Sequence, residues 1–236
     1  SPPGEFVVLP MMPGFVADFR AGLAFVTSGL ATRDLPVPAA TRTIGGKLQD
    51  RSSGAGIPGV LLLAQSSAGQ ISTGFSDSAG NFSITVLAGE WEITPEASSL
   101  APLGYVGFGD TAKVVVSTVT GSASNVSLAA TKASALIYGT LRDNRNQPIV
   151  GLQIWARDSS GLYEANGLSF ASGGQFCLGV VAGDWHLQPD EEASAALGYS
   201  SQGANATVSA NRAFRVDLTM RWVSAHLRGR LVGADG

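Results

Sequence analysis

Two histidines, one cysteine and a run of three acids are the residues best suited to chemistry, and their spacing decides how far that chemistry goes. His186 stands between Trp185 and Leu187, and His226 follows far downstream. Neither has a second ligand at helical or hairpin spacing, so zinc-type coordination is not expected. No Gly-x-Ser-x-Gly turn occurs to raise a nucleophilic serine. Asp190-Glu191-Glu192 is the densest group of carboxylates. Calcium takes such oxygens together with carbonyls, but directly after Pro189 they read more simply as a solvated acidic loop. Gly54-Ala55-Gly56-Ile57-Pro58-Gly59 satisfies Gly-x-Gly-x-x-Gly. That motif brings backbone against a pyrophosphate only where a helix opens on it. Pro58 and the apolar run Val60–Ala64 follow instead, so it reads as a glycine-rich loop. Cys177 has no second cysteine with which to pair. No cofactor, metal or catalytic residue is expected, and the chain does not read as an enzyme, for want of a nucleophile, base and orienter together.

The 236 residues carry 15 Lys and Arg against 18 Asp and Glu, a net charge of −3. That balance argues against nucleic acid, whose phosphates need a basic face. At 44% hydrophobic the chain can bury a core. Its longest apolar run, Val60–Ala64, is far short of the roughly 20 residues of a membrane span, so none is expected in this segment.

What must position any site is a repeat. Gly80-Asn81-Phe82-Ser83-Ile84-Thr85-Val86-Leu87-Ala88-Gly89-Glu90-Trp91 recurs as Gly174-Gln175-Phe176-Cys177-Leu178-Gly179-Val180-Val181-Ala182-Gly183-Asp184-Trp185, at an offset of 94. Leu103-Gly104-Tyr105 matches Leu197-Gly198-Tyr199 at the same offset, and Gly46-Lys47-Leu48 matches Gly139-Thr140-Leu141 at 93. Gly229-Arg230-Leu231 opens a further copy, and Gly4-Glu5-Phe6-Val7 repeats Gly89-Glu90-Trp91-Glu92 with Phe6 in place of Trp. Leu35, Leu128 and Leu218 mark closing strands. The expected organisation is the closing half of one repeat over 1–40, complete repeats over 41–131 and 132–221, and the first strand of another over 222–236. On this reading the chain begins and ends within a repeat, as an excerpt of a longer protein or a polymerising subunit.

Each repeat reads as all-β. Phe82, Ile84 and Val86 alternate with small or polar residues, as do Phe176, Leu178 and Val180, and turn signals separate the runs. No capped 3.6-residue period is long enough to predict a helix. Short strands in a unit of about 90 residues predict tandem Greek-key β-sandwiches of Ig-like or transthyretin-like type. Trp91 and Trp185 share faces with Ile93 and Leu187 and are expected in the two cores. Leu152, Ile154 and Ala156 form one face, which turns Trp155 to the other. Leu63 is its counterpart in the first repeat, with Leu61 on the same face. Apolar side chains recurring on an outer face predict a covered surface, so Leu61, Leu63 and Trp155 are the candidate interface.

These motifs, in this order, resemble the carboxypeptidase regulatory-like family, a transthyretin-like β-sandwich. The carrying residues are Gly46-Lys47-Leu48 and Gly139-Thr140-Leu141, Ile57-Pro58-Gly59-Val60, the hairpin Asp77 to Phe82, and Gly89-Glu90-Trp91 with Gly183-Asp184-Trp185. The resemblance implies the fold and a non-catalytic accessory role. The related B-type repeats of bacterial adhesins imply a further possibility, an isopeptide bond between a lysine and an asparagine on opening and closing strands. Lys47 and Asn125 occupy such strands, but alternation turns both outward, so no cross-link is expected.

The function expected is a structural or adhesive segment of a long extracellular, cell-surface repeat protein: a stalk, sheath or fibre. Its partners would be neighbouring repeats or copies of itself, added by β-augmentation at open strand edges. The alternative is a carbohydrate-binding accessory module of a secreted enzyme, with Trp155 as the exposed aromatic. Asn81, Asn125 and Asn205 stand in glycosylation sequons, which matter only in a cell that glycosylates asparagine.

Overall fold

The structure is a computed structural model and describes residues 4–26, 32, 34–108, 114–170 and 172–224. The chain opens with β1 (Gly4–Val7), β2 (Ala17–Asp18), α1 (Phe19–Gly22) and β3 (Leu23–Val26), and β1 pairs with β3. The strand at Gly4–Val7 is the one its likeness to Gly89–Glu92 predicts.

The first sandwich is built from β4 (Arg42–Asp50), β5 (Leu61–Ser66), β6 (Gln70–Phe75), β7 (Asn81–Val86), β8 (Glu90–Pro95), α2 (Ala97–Leu100), β9 (Tyr105–Phe108), β10 (Val114–Ser117) and β11 (Ala123–Lys132). One sheet runs β10-β8-β5-β6 and the other β7-β4-β11. The opening and closing strands β4 and β11 are parallel, with Leu48 opposite Leu128.

The second sandwich repeats the plan with β12 (Ala135–Asp143), β13 (Gln153–Asp158), β14 (Tyr163–Leu168), β15 (Gln175–Val180), β16 (Gly183–Pro189), α3 (Glu191–Ala196), β17 (Tyr199–Ser200), β18 (Ala204–Val208), β19 (Ala213–Arg215) and β20 (Leu218–Trp222). Its sheets are β18-β16-β13-β14 and β15-β12-β20, with β12 and β20 parallel. The closing strand is interrupted here. In β11 the same place is a shift of register between Ala123 and Val126, with Asn125 at φ +63°.

Alternation fills both cores. Phe82, Ile84, Val86, Trp91 and Ile93 are buried in one cluster, and Phe176, Leu178, Val180, Trp185 and Leu187 in the other. Each indole also satisfies its polar atom locally. Trp91 Nε1 donates to the Leu87 carbonyl at 3.0 Å, and Trp185 Nε1 to that of Val181 at 2.9 Å. A buried Trp needs such a partner.

The opening glycines have a packing cause. A Cβ on Gly46 would lie 2.2 Å from the Val126 carbonyl oxygen and 2.6 Å from the Phe82 ring; one on Gly139 would lie 1.8 Å from the Val216 carbonyl oxygen. First and last strands approach too closely there for any side chain.

Two expectations are corrected. Asp190-Glu191-Glu192 is not a plain loop. Asp190 caps α3, its Oδ1 accepting the Ala193 N–H at 2.8 Å, with Glu191 and Glu192 in the first turn. A helix of six residues is too short to show a period, so the acids read as a loop. Leu35 lies in no strand and is half-buried. Pro36 and Pro38 follow it, and proline supplies no N–H to a ladder. Gly229-Arg230-Leu231, expected to open a further repeat, and His226 lie outside the described residues.

Candidate functional site

The residues weighed for chemistry lie apart. The Gly54–Gly59 loop leads into β5, not a helix. Gly56 is required because a Cβ there would meet the Ala79 carbonyl oxygen at 1.9 Å. His186 is exposed on β16, its Nδ1 2.7 Å from Asn205 Oδ1 on β18. Cys177 is exposed on β15, and partial burial pushes its thiol above the usual range, leaving it a poor nucleophile. Among the described residues no three His, Cys, Asp or Glu side chains gather as metal ligands. No helix among them is long and apolar enough to cross a membrane. Asn125 is exposed, and Lys47 lies in register with Ser127.

The chain's most distinctive construction is the joint between its sandwiches. The chain leaves β8 through α2 and a single 3-10 turn, Ala101–Leu103, and turns at Gly104, φ +78°. It then forms β9, which pairs along both edges. On one edge Tyr105 and Val106 face Lys132 and Thr131 at the end of β11. On the other, Gly107 and Phe108 face Glu164 and Tyr163 of β14, in the second sandwich. A single eight-stranded sheet therefore crosses from one sandwich to the next, in the order β18-β16-β13-β14-β9-β11-β4-β7. Val106, from the first repeat, is buried in the second core.

The same joint stands before the first sandwich. Phe15 bridges Ala39, while Ala17 and Asp18 of β2 face Ile71 and Gln70 of β6. Val16 is fully buried in the first core. The closing hydrogen bond is the same in both places: Ala40 N–H donates to the Gly14 carbonyl at 2.8 Å and Ala133 N–H to that of Gly104 at 2.9 Å. Sequence reasoning missed this pairing of Gly14-Phe15-Val16 with Gly104-Tyr105-Val106, because a match of only three residues in a connecting segment carries too little pattern to be noticed.

A buried carboxylate braces the second joint. Asp50 ends β4 and is 2% exposed. Its Oδ1 accepts from the Ser52 hydroxyl at 2.6 Å and from the Ser52 and Ser53 N–H groups, both at 2.9 Å. Its Oδ2 accepts the Tyr105 hydroxyl at 2.9 Å, with Lys132 Nζ 3.9 Å away. The Ser52 hydroxyl, then the Ser53 N–H, hold this carboxyl well below the usual carboxylate range, with Tyr105 adding to them. Burial, then the bond to Asp50, pushes the Tyr105 phenol up.

The candidate interface residues lie in two different sheets. Leu61 and Leu63 are half-buried on β5, facing Phe75 and Thr73 of β6. Trp155 is exposed on β13 between Asn166 and Gln188, its Nε1 3.4 Å from Asp190 Oδ2.

No family model matches the chain, and no curated protein matches it. Among solved structures it is similar to the Bacillus anthracis TIE protein, at 15% identity and TM-score 0.37, covering 94% of this chain. The chain spans 42% of the length of that protein. It is similar also to GBS52, the minor pilin of Streptococcus agalactiae, at 12% identity and TM-score 0.35, over 80% of this chain and all of that one. The shaft pilin SpaA of Lactobacillus rhamnosus GG gives 11% identity and TM-score 0.32, over 79% and 99%. Likenesses of this size decide neither family nor activity.

Proposed function

We propose that the chain is a non-catalytic structural and adhesive segment of a long extracellular repeat protein, a stalk, sheath or fibre at a cell surface. Residues 41–131 and 132–221 are its complete units, and 1–40 closes a preceding one. The observation that carries this is the shared strand Tyr105–Phe108, hydrogen-bonded to both sandwiches at once. A flexible linker would let neighbouring units turn freely. A strand held along both edges, with Val106 sunk in the next core, fixes them as one piece. Serial units that each bind the next give length and stiffness without further chemistry. The motif order shared with carboxypeptidase regulatory-like modules fits the same accessory role. Antibody raised to this chain should label intact, unpermeabilised producing cells, and external protease should remove the label. Label confined to lysed cells would overturn the reading.

A second reading has one observation in its favour. Trp155 exposes its indole between Asn166 and Gln188, with Asp190 beside it. Asn166 is buried, but an exposed aromatic beside the half-buried Gln188 amide and the Asp190 carboxylate suits a sugar ring and its hydroxyls. On this reading the segment is a carbohydrate-binding accessory module. Glycan-array binding abolished by Trp155→Ala supports it, and no binding by the unaltered chain discards it.

A further inference from the structure

The joint is half-made a third time. Gly198 turns the chain at φ +81° after α3, as Gly104 does after α2. Tyr199 and Ser200 of β17 face Trp222 and Arg221 of β20, the register in which Tyr105 and Val106 face Lys132 and Thr131. The closing hydrogen bond recurs, Val223 N–H to the Gly198 carbonyl at 2.8 Å. The aromatic side chain is seated again: the Tyr199 ring meets Trp222 edge-on at 5.2 Å, where Tyr105 lies under Lys132. What differs is the far edge. β2 and β9 each pair there with a strand of the following sandwich, β6 or β14, whereas among the described residues no strand pairs with the far edge of β17.

We propose that the Tyr199–Ser200 edge is a docking edge for one occupant, a further β-sandwich of this same kind, entering through the strand equivalent to β6 and β14. The argument is continuity with an interface made twice in this molecule in the same register. It deepens the reading of the chain as a serial array and rests on it. An open edge of this type pairs with whatever matching strand it meets. A second copy of the chain is poorly placed to supply one, because its β6 and β14 are already covered by β2 and β9. Ser201 should face the residue equivalent to Ile71 and Glu164, as Ala17 and Gly107 do. One residue departs from the pattern. Ser200 stands where the other two joints have Val16 and Val106, so this joint lacks the apolar plug and is the weakest of the three.

The test lengthens the full chain by its own sequence. Residues 134–236 are repeated directly after Val223, the position equivalent to Ala133. Hydrogen exchange of the peptide Tyr199–Gln202 is then compared with that in the 236-residue chain, and emission from the added tryptophans confirms that the added sandwich has folded. Because the added copy carries its own open Tyr199–Gln202, the expected result is two equal populations of that peptide, one slowed by about tenfold or more and one unchanged, the first slowed further by Ser200→Val. If the added sandwich fails to fold behind Ser200, the Ser200→Val form, which restores the plug, must give the slowing. A single unchanged population beside a folded added sandwich, in either form, would overturn the proposal. Slowing that appears in the 236-residue chain as its concentration rises would also overturn it, by giving the edge to a second copy. Failure of surface labelling would count against the stalk reading alone and leave the exchange result standing.

Discussion

Val16 and Val106 lie ninety residues apart, and each is buried in the core of the sandwich that follows it. The backbone beside each valine pairs on both sides, Phe15 with Ala39 and Ala17 with Ile71, Tyr105 with Lys132 and Gly107 with Glu164, so at the second joint the two sandwiches share backbone pairing and core.

Val106→Ala should therefore destabilise the second sandwich, not the first, by about 2 kcal/mol, the usual worth of a buried valine side chain. Urea unfolding followed by hydrogen exchange should show the β13–β16 peptides losing protection first. Equal loss in both sandwiches would place Val106 in a common core.

Trp91→Ala and Trp185→Ala should each cost about 3–5 kcal/mol. Both indoles are fully enclosed and bonded through Nε1 to a carbonyl four residues earlier. Each substitution should unfold its own sandwich at lower urea and leave the other nearer its original midpoint. Fluorescence of the remaining core tryptophan reports the second transition.

Gly46→Ala and Gly139→Ala should each destabilise by about 1–3 kcal/mol through overpacking. The added methyl meets backbone oxygen of the closing strand, which cannot swing aside as a side-chain tip can. Thermal melts should show the loss, and Gly54→Ala, at an open loop position, serves for comparison; its φ of +71° adds only local strain.

The core, the strands and the tandem plan were legible in the sequence because alternation and repetition are dense there. Phe82, Ile84, Trp91 and Ile93 declare a face through period two alone, and their copies repeat it. The joint was not legible. Its business is done by backbone pairing, which any residue can supply, and by Val16 and Val106, which look like any other apolar residue in a loop. The helix after Asp190 escaped for a related reason, since a turn and a half shows no period. Asp50 gave no signal either, because its partners Tyr105 and Lys132 come from distant strands.

Acid should loosen the second joint. The Asp50 carboxyl sits well below the usual range in the folded state, so its contribution is complete above the ordinary carboxylate pKa and is lost as pH falls below about 4. Asp50→Asn should flatten that loss and speed exchange at Ser52, Ser53 and Tyr105 at neutral pH. A variant whose stability falls with acid as steeply as that of the unaltered chain would assign the effect to other carboxylates.

The shared strand itself is tested most directly by hydrogen exchange of the Tyr105–Phe108 amides in the intact 236-residue chain. A strand paired along both edges should exchange as slowly as the flanking strands of the two sandwiches, and Val106→Ser should speed it without unfolding the first sandwich. Exchange at the rate of an unstructured linker would contradict the account, because the two sandwiches would then be tethered rather than joined.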